Sequence, residues 1–487
     1  MTGTRTFVRA LMTGLAALVG TTARAESTRL YALEGFGTFL DGNPESTSIT
    51  EDGQIALPLS VRERFVDAAA SFSAAAALDG DIVLARTGEG VLIAVDAKGR
   101  TRELAKLDET MVTAMLTVDD ELYVAVAQPA EVLRVDGKGK VTSIWKGEAE
   151  YVWALAVGQG GALLAATGSP GTVVQIARGG AATVLFKSHQ EHLRSLAFDA
   201  ELGTFVGGGE RGVVYRAQNH RDFKALYDSG QPEITALAVK DNAVYVAAVS
   251  GAEALAQQDA NAGAAGGKKG KPASGGASVR SALARVAMDG TYENLAGSTD
   301  EAIFSLAWSA QGTLLVATGA TGREDPRARL YEIETGKRLI AMIHQSVSRR
   351  FTHLVPMGKR GLAMVAAAGA RVLELGTERA KKGEFFTLPF DTGLSSKFGV
   401  LELLGHWAKG ATATVAVRTG QTSEPDETWS AWSKEIVAPG GSRPEVPAGR
   451  YMQLRVTLTS DGKVLPTVHR VRLAYLRQNM GPSCARC

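Results

Sequence analysis

The sequence predicts an all-β chain that consists of a seven-bladed β-propeller followed by a small antiparallel β-sandwich. One short phrase of apolar and small residues recurs seven times, with a period near 40 residues. Three further strand-like runs, separated by turn residues, follow each copy, and four short strands per repeat are typical of propeller blades. Near residue 390 the repeat ends, and strands with two-residue alternation begin.

The recurring phrase marks the innermost strand of each predicted blade. Ala and Ser are frequent in it because inner strands converge on the propeller axis, where large side chains would collide. The middle runs, such as "DIVLART" and "TLLVATG", are apolar at successive positions, as expected when neighbouring blades cover both faces of a sheet. The copies begin at Phe72, Val112, Val152, Leu193, Ile234, Ile303 and Phe351, at intervals of 40, 40, 41, 41, 69 and 48 residues.

The longest interval contains a low-complexity insert. Residues 252–280 are rich in Ala, Gly and Lys, and we expect a disordered surface loop between the second and third strands of the fifth blade. A tolerated insertion is one interpretation, and a basic tether through Lys268, Lys269 and Lys271 is the other.

The N-terminus has the pattern of a secretory signal peptide. Arg5 and Arg9 precede an apolar run of about 11 residues, and the small-residue motif Ala23-Arg24-Ala25 follows it. No later run reaches the roughly 18 apolar residues of a membrane span, so we expect a periplasmic or secreted protein without one. The predicted parts are a signal peptide (1–25), an N-terminal extension of undetermined placement (26–60), the propeller (61–389), the sandwich (390–478) and a tail (479–487).

Composition and charge limit the classes of partner that the chain is expected to bind. The chain has 53 basic and 51 acidic residues, and no block of Lys or Arg accompanies aromatic residues in the way that suits nucleic acid. We therefore expect no nucleic-acid partner, and nothing indicates an oligomeric state. The two cysteines, Cys484 and Cys487, lie at the C-terminus without a nearby histidine, which makes them weak evidence for a zinc site. A disulfide and two free thiols are the alternatives.

A rim of charged and aromatic residues precedes the predicted inner strands, on the face where most propellers bind. One interpretation is a site for a sugar, a peptide or a cation, with calcium or magnesium as the candidate and no other cofactor. In the other interpretation, the carboxylates accept backbone N–H groups or pair with basic neighbours. The predicted rim consists of Glu109, Glu150, Tyr151, Trp153, Glu191, His192, Glu233, Glu301 and Arg350.

The segment "SHQEHLR" places His189, Glu191 and His192 together as the densest titratable cluster. A regular strand would point Glu191 and His192 to opposite faces, and the zinc-protease spacing is absent. A catalytic base, a metal ligand and an ordinary loop are the three alternatives. No catalytic residue is therefore assigned.

The C-terminal region contains the sequence "ETWSAWSKEI", with Trp429 and Trp432. Thrombospondin repeats need cysteines around such a motif, and cytokine receptors place it before their last strand, whereas at least two predicted strands follow it here. The tryptophans either stack with Arg418 and Arg455 as a structural brace or form an open aromatic platform for a sugar.

The chain resembles the secreted bacterial propellers of the WD-repeat-like and YVTN superfamily, in particular a group in which seven blades precede a small β-domain. The phrases "EYVWALAV", "GALLAATGSPGTVVQI", "PEITALAVKDNAVYVAAVSG" and "GRYMQLRVTL" carry the resemblance, which covers residues 60–478. The resemblance implies a binding module with an unassigned ligand. The Gly-His and Trp-Asp pairs of intracellular WD repeats are missing, so their scaffold functions do not transfer.

The sequence thus predicts an exported, non-enzymatic module that binds a protein or a glycan. The alternative is a metal-dependent propeller enzyme of lactonase or lyase type that uses the acidic rim and His192. The two hypotheses differ in whether at least three of the rim's acidic and histidine side chains converge within metal-ligand reach of one point.

Overall fold

The computed structural model describes residues 27–108, 111–251, 280–321, 327–346, 348–366, 368–437 and 441–478. The predicted signal peptide, the tail with both cysteines, Glu109 and nearly all of the insert lie outside these residues, although Arg280 already begins a strand. No helix in the described ranges has the length and apolar character that a membrane crossing requires. The N-terminal elements are β1 (Arg29–Glu34), α1 (Phe36–Leu40), β2 (Asn43–Glu45), β3 (Ser48–Thr50) and β4 (Gln54–Ala56).

Seven four-stranded units, here called blades, follow within the described residues. Blade 1 begins with Phe72 to Leu78, the second part of β5 (Leu59–Leu78), and continues with β6 (Asp81–Arg86), β7 (Val91–Val95) and β8 (Thr101–Lys106). Blade 2 contains β9 (Met111–Val118), β10 (Glu121–Ala127), β11 (Glu131–Val135) and β12 (Val141–Lys146). Blade 3 contains β13 (Tyr151–Val157), β14 (Leu163–Gly168), β15 (Thr172–Ile176) and β16 (Ala182–Lys187), with a 3-10 turn at Gln159–Gly161.

The remaining blades have the same meander. Blade 4 contains β17 (Leu193–Asp199), β18 (Gly203–Gly208), β19 (Val213–Ala217) and β20 (Lys224–Asp228). Blade 5 contains β21 (Glu233–Lys240), β22 (Ala243–Ser250), β23 (Arg280–Ala287) and β24 (Tyr292–Ser298). Blade 6 contains β25 (Glu301–Trp308), β26 (Leu314–Ala320), β27 (Ala328–Glu334) and β28 (Leu339–Ser346). Blade 7 contains β29 (Phe351–Pro356), β30 (Leu362–Ala366), β31 (Ala368–Arg379) and the first part of β5, with a 3-10 turn at Gly358–Arg360.

The innermost strands of successive blades contact one another in chain order, and β29 contacts β5, so the blades form a closed ring. In blades 2 to 7 the second strand is the most buried, and every residue of β14, β18 and β26 is buried. Because neighbouring blades cover both faces of these strands, apolar or small residues are required at successive positions. The predicted all-β class and β-propeller fold are confirmed.

The C-terminal domain comprises β1 to β4 together with β32 (Lys382–Phe386), β33 (Phe390–His406), β34 (Ala411–Gly420), β35 (Gly449–Ser460) and β36 (Thr467–Arg477). β35 pairs with β32 and β34, whereas β36 pairs with β1 and with the C-terminal part of β33. Side chains from both groups of strands form one apolar cluster. Met452, Leu454, Val456 and Leu458 alternate into this cluster and are fully buried, as the two-residue pattern predicts.

The N-terminal extension is part of this domain. β1 pairs with β36, and β2 pairs with β32, which precedes the predicted boundary at residue 390. β3 pairs with β28, the outermost strand of blade 6, and β4 pairs with β3 and β36. One continuous sheet therefore connects blade 6 to the C-terminal domain. Strands of six and three residues are too short for their periodicity to have been read from the sequence.

Strand β5 closes the ring, because its first part pairs with β31 in blade 7 and its second part pairs with β6 in blade 1. Arg64 on this strand is 7% exposed and donates hydrogen bonds to the backbone carbonyls of Val95 (2.6 Å) and Asp96 (2.7 Å) in blade 1. The same guanidinium forms an ion pair with Glu374 of blade 7 at 2.7 Å. One buried cation thus links the first blade to the last.

Replacement of Arg64 should weaken the closure of the propeller ring between blades 7 and 1. We expect Arg64→Met to lower the free energy of unfolding by about 3 kcal/mol, because it leaves buried backbone carbonyls and the Oε1 atom of Glu374 without their donor. Arg62→Met is the matched control, since Arg62 pairs with the same Glu374 carboxylate but its side chain is 64% exposed. The control should lose less than about 1 kcal/mol. Equal losses in urea denaturation would contradict the assigned role of Arg64.

Candidate functional site

Each innermost strand contains a β-bulge at the same position of the repeat. In β13, for example, Val152 pairs with Thr167 and Ala154 pairs with Ala166, so Trp153 lies opposite no partner residue. A bulge releases one side chain from the ladder and redirects it. The seven bulged residues are Ser73, Thr113, Trp153, Arg194, Thr235, Phe304 and Thr352.

Large side chains at adjacent bulges form a stack at the mouth of the propeller. The rings of Tyr151 and Trp153 are nearly parallel, with centroids 4.6 Å apart. The Arg194 guanidinium lies 3.8 Å from the centroid of the Trp153 ring, and its Nε is 3.4 Å from a carboxylate oxygen of Glu233. Gln128 donates a hydrogen bond to the Tyr151 hydroxyl at 3.0 Å. These residues of blades 2 to 5 form one cluster, called the mouth cluster, in which Gln128 is exposed and the other four side chains are half-buried.

His192 completes the mouth cluster at its edge. Its ring meets the Tyr151 and Trp153 rings edge to face, at 5.8 Å and 5.7 Å. The Trp153 indole N–H donates to His192 Nδ1 at 3.2 Å. Since the indole nitrogen is only a donor, Nδ1 is the acceptor, and the proton of neutral His192 lies on Nε2. His192 therefore has an N–H donor besides the atom bonded to Trp153.

A glycine makes room for this contact. A Cβ atom on Gly168 would lie 2.2 Å from His192 Nδ1 and 2.3 Å from Trp153 Nε1. Any side chain at this position would displace the ring pair, so the hydrogen bond between Trp153 and His192 depends on a glycine in blade 3.

The predicted rim carboxylates that the structure describes, Glu150, Glu191, Glu233 and Glu301, do not gather at one point. Glu150 and Glu191 are exposed, and their backbone carbonyls accept hydrogen bonds from Gln128 and Ser169 of the preceding blades. Glu301 is 8% exposed, lies between blades 5 and 6, and pairs with Arg329. In the described part of the chain, no group of three His, Cys, Asp or Glu side chains is arranged to hold a metal ion. His189 is exposed and lies outside the mouth cluster.

The arginine of the predicted rim lies at the start of blade 7. Arg350 is 4% exposed, and its guanidinium carbon lies 5.8 Å from the centroid of the Phe304 ring, which belongs to the bulge of blade 6. Phe304 and Arg350 are thus a looser counterpart of the Trp153 and Arg194 stack. In both pairs an aromatic residue at a bulge contacts an arginine of the next blade.

Arg194 and Gln128 are not among the predicted site residues. The repeat itself contains a signal for Arg194, because the second letter of every recurring phrase is the bulged residue. "VWALAV" and "LRSLAF" therefore place Trp153 and Arg194 at equivalent positions of adjacent blades. Gln128 lies in the turn between the second and third strands of blade 2 and has no comparable signal.

The "WSAWS" segment runs along the free edge of β34. Ser430 N–H donates to the Thr419 carbonyl and Ser433 N–H to the Val417 carbonyl, both at 2.8 Å. In return, the Thr419 and Val417 N–H groups donate to the hydroxyls of Ser430 and Ser433, at 3.0 Å and 3.1 Å. The two serines thus pair with both the N–H and the carbonyl groups along the free edge of β34. The strands β35 and β36 follow the motif along the chain.

Both tryptophans of this motif pack against arginines. The Arg418 guanidinium lies 5.4 Å from the Trp429 ring centroid and 4.7 Å from that of Trp432, and Arg455 lies 5.0 Å from Trp432. Trp429 is 7% exposed, and its indole N–H donates to Thr422 at 2.9 Å. Burial, together with the positive charge of Arg455, lowers the pKa of Arg418 below its usual value. The geometry is that of a brace, and Trp429 offers no open platform.

Loss of the central ring of this brace should destabilise the domain. We expect Trp432→Ala to lower the free energy of unfolding by about 2 kcal/mol, because both arginines lose a cation–π partner and buried area is lost. Trp432→Phe keeps a ring in place and should lose less than half as much. Thermal and urea unfolding measure both variants. Unchanged unfolding of Trp432→Ala would contradict the role of a brace.

Similarity to known proteins is found only among solved structures. No family model matches the chain, and no curated protein matches it. Among solved structures, virginiamycin B lyase from Staphylococcus aureus is similar at 8% identity, over 65% of this chain and 99% of the other, with a TM-score of 0.49. The WD40 β-propeller domain of Doa1 is similar at 11% identity, over 65% and 97%, with a TM-score of 0.48. The computationally designed protein Ika8 is similar at 14% identity, over 64% and 99%, with a TM-score of 0.43.

Proposed function

We propose that this chain is an exported, non-enzymatic module that binds a protein or a glycan at the mouth cluster. The observation that carries the proposal is the stack of Tyr151, Trp153 and Arg194 across adjacent blades. Tyrosine, tryptophan and arginine are the residues that most often dominate binding energy at interfaces, because each combines apolar area with a polar end.

The cluster is held in place before any ligand arrives. Trp153 lies between the Tyr151 ring and the Arg194 guanidinium, and Glu233 and Gln128 fix the two ends of the stack. Side chains that are already ordered lose little conformational entropy on binding, which favours affinity. The aromatic edge and the Nε2–H donor of His192 supply apolar contact and directional hydrogen bonding, the combination that both proteins and sugars require.

Support for the metal-dependent alternative is weaker. The rim carboxylates Glu233 and Glu301 each engage an arginine, and Glu191 accepts a hydrogen bond from the Ser169 hydroxyl at 2.9 Å. These contacts correspond to the interpretation in which the carboxylates stabilise turns and blade junctions.

Substitution in the mouth cluster tests the binding proposal. We expect the double variant Tyr151→Ala, Trp153→Ala to reduce ligand capture at least about tenfold, because it removes the aromatic centre of the cluster. Tyr292→Ala is the matched control, since Tyr292 is 59% exposed on the outermost strand of blade 5, away from the mouth. Cross-linking pull-down from cell-envelope extract and a glycan array measure capture by all three proteins, after their melting temperatures have been compared.

The two readouts separate the ligand classes. Loss of a cross-linked protein in the double variant alone identifies a protein ligand, and loss of an array signal alone identifies a glycan. Equal capture by the double variant and the natural chain would overturn the proposal that the mouth cluster binds.

A separate experiment tests the proposed export. We expect a cell that expresses the full chain to place it in the periplasm or the medium, with Glu26 as the first residue, because cleavage would follow Ala25. Fractionation followed by mass spectrometry of the N-terminal peptide determines this. A cytoplasmic chain that retains residues 1–25 would contradict export.

A further inference from the structure

A cavity of about 330 Å³ lies between blades 5 and 6, away from the mouth cluster. Its walls are mostly apolar and come from both blades: Leu283, Leu295, Ile303, Val316, Ile333 and Ile340. Phe36 of α1 and Glu51 form one side, so the C-terminal domain also contributes to it. Its volume is within the range of small-molecule sites, which often occur where domains meet.

Strand register places the cavity beside a small residue of blade 5. The outermost strand of each of blades 1 to 5 contains a bulge, and the residue just beyond it is Ala105, Trp145, Phe186, Tyr227 or Ala296 in turn. Blades 2 to 4 thus carry an aromatic ring where blades 1 and 5 carry a methyl group. Ala105 packs in one apolar cluster with Leu133 of blade 2, whereas Ala296 lines the cavity.

Blade 3 shows one way in which the equivalent space is filled. Phe186 packs against Tyr215 of blade 4, with ring centroids 5.1 Å apart. Tyr331 of blade 6 occupies the position equivalent to Tyr215 of blade 4. Each is the first residue of its strand after the shift in pairing with the outermost strand of its blade. Tyr331 and Ala296 both line the cavity. Tyr331 therefore faces a space of the kind that Phe186 occupies beside Tyr215.

One end of the cavity is polar. The Glu301 carboxylate accepts hydrogen bonds at Oε1 from the Tyr331 hydroxyl (2.8 Å) and from Arg329, and at Oε2 from the Thr318 hydroxyl (2.6 Å). Burial, reinforced by the Glu301 charge, raises the pKa of Tyr331, so its phenol remains a neutral donor. A carboxylate has about four acceptor positions, and the described residues occupy three of them. Oε2 retains one position.

We propose that this cavity binds a small aromatic molecule with one N–H or O–H donor. The ring lies against Tyr331, in the place that Phe186 occupies beside Tyr215, and the donor bonds to Glu301 Oε2. The apolar walls provide affinity by burial, and the carboxylate selects ligands that carry the donor, because a buried acceptor discriminates strongly by hydrogen bonding. This site is separate from the mouth cluster and does not depend on the function proposed for it.

Indole and 1-benzothiophene are matched probes, because they have similar shapes and only indole has an N–H group. We expect indole at about 5 mM to raise the melting temperature of the full chain, and calorimetry to show at least fivefold weaker binding of 1-benzothiophene. No binding of indole at that concentration would overturn the proposal. Equal binding of the two probes would overturn the role of Glu301.

Filling the cavity tests its location. Ala296→Phe restores the ring present in blade 3 and should weaken indole binding at least tenfold without lowering the melting temperature. Ala225→Phe is the control, since Ala225 is exposed on the outermost strand of blade 4. If Ala296→Phe fails to fold, Ala296→Met fills part of the space and should weaken binding in the same direction. Unchanged indole affinity in a folded Ala296 variant would overturn the proposed location.

Discussion

The propeller depends on a single strand that belongs to two blades. β5 supplies the outermost strand of blade 7 and the innermost strand of blade 1, so the ring is closed by backbone hydrogen bonds as well as by packing. Without this pairing, blade 7 would present an unpaired edge, and the ring would be held at that point by apolar contact alone. Arg64 reinforces the junction, because its donors reach carbonyls of blade 1 while its charge is balanced by Glu374 of blade 7. The positions of all the inner strands, and hence of the mouth cluster, follow from this closure.

The same N-terminal region also fixes the C-terminal domain. The chain passes through β1 to β4 before it enters β5, and these short strands pair with β36, β32 and β28. Residues 29–56 are thus required by the domain that lies more than 300 residues further along the sequence. Phe36 and Glu51 of this region line the cavity between blades 5 and 6. A movement of the C-terminal domain would therefore change the wall of that cavity.

The sequence predicts what repeats and cannot predict contacts between distant segments. The recurring phrase locates the inner strands, and alternation in "YMQLRVTL" correctly orients Met452 and Leu454, because period and burial are local properties. Glu301 is different. Its position before an inner strand resembles that of Glu191, yet Glu191 is exposed and Glu301 is buried against Arg329. That difference depends on an arginine 28 residues away and on Tyr331, which no local pattern associates with Glu301.

The bulges show where this chain departs from its own repeat. At two of them, Thr113 and Thr235 donate hydroxyl hydrogen bonds to carbonyls of the next blade, those of Val152 and Ile303. Trp153 and Arg194 have no hydroxyl group, and they contact each other across blades 3 and 4 instead. In blade 4 the adjacent Ser195 makes the equivalent hydroxyl bond, to the Ile234 carbonyl at 2.9 Å. In blade 4 a position that lacks the hydroxyl therefore has a compensating one beside it, which leaves the larger side chain free for the stack at the mouth. This exchange agrees with the binding role that we propose for the mouth cluster.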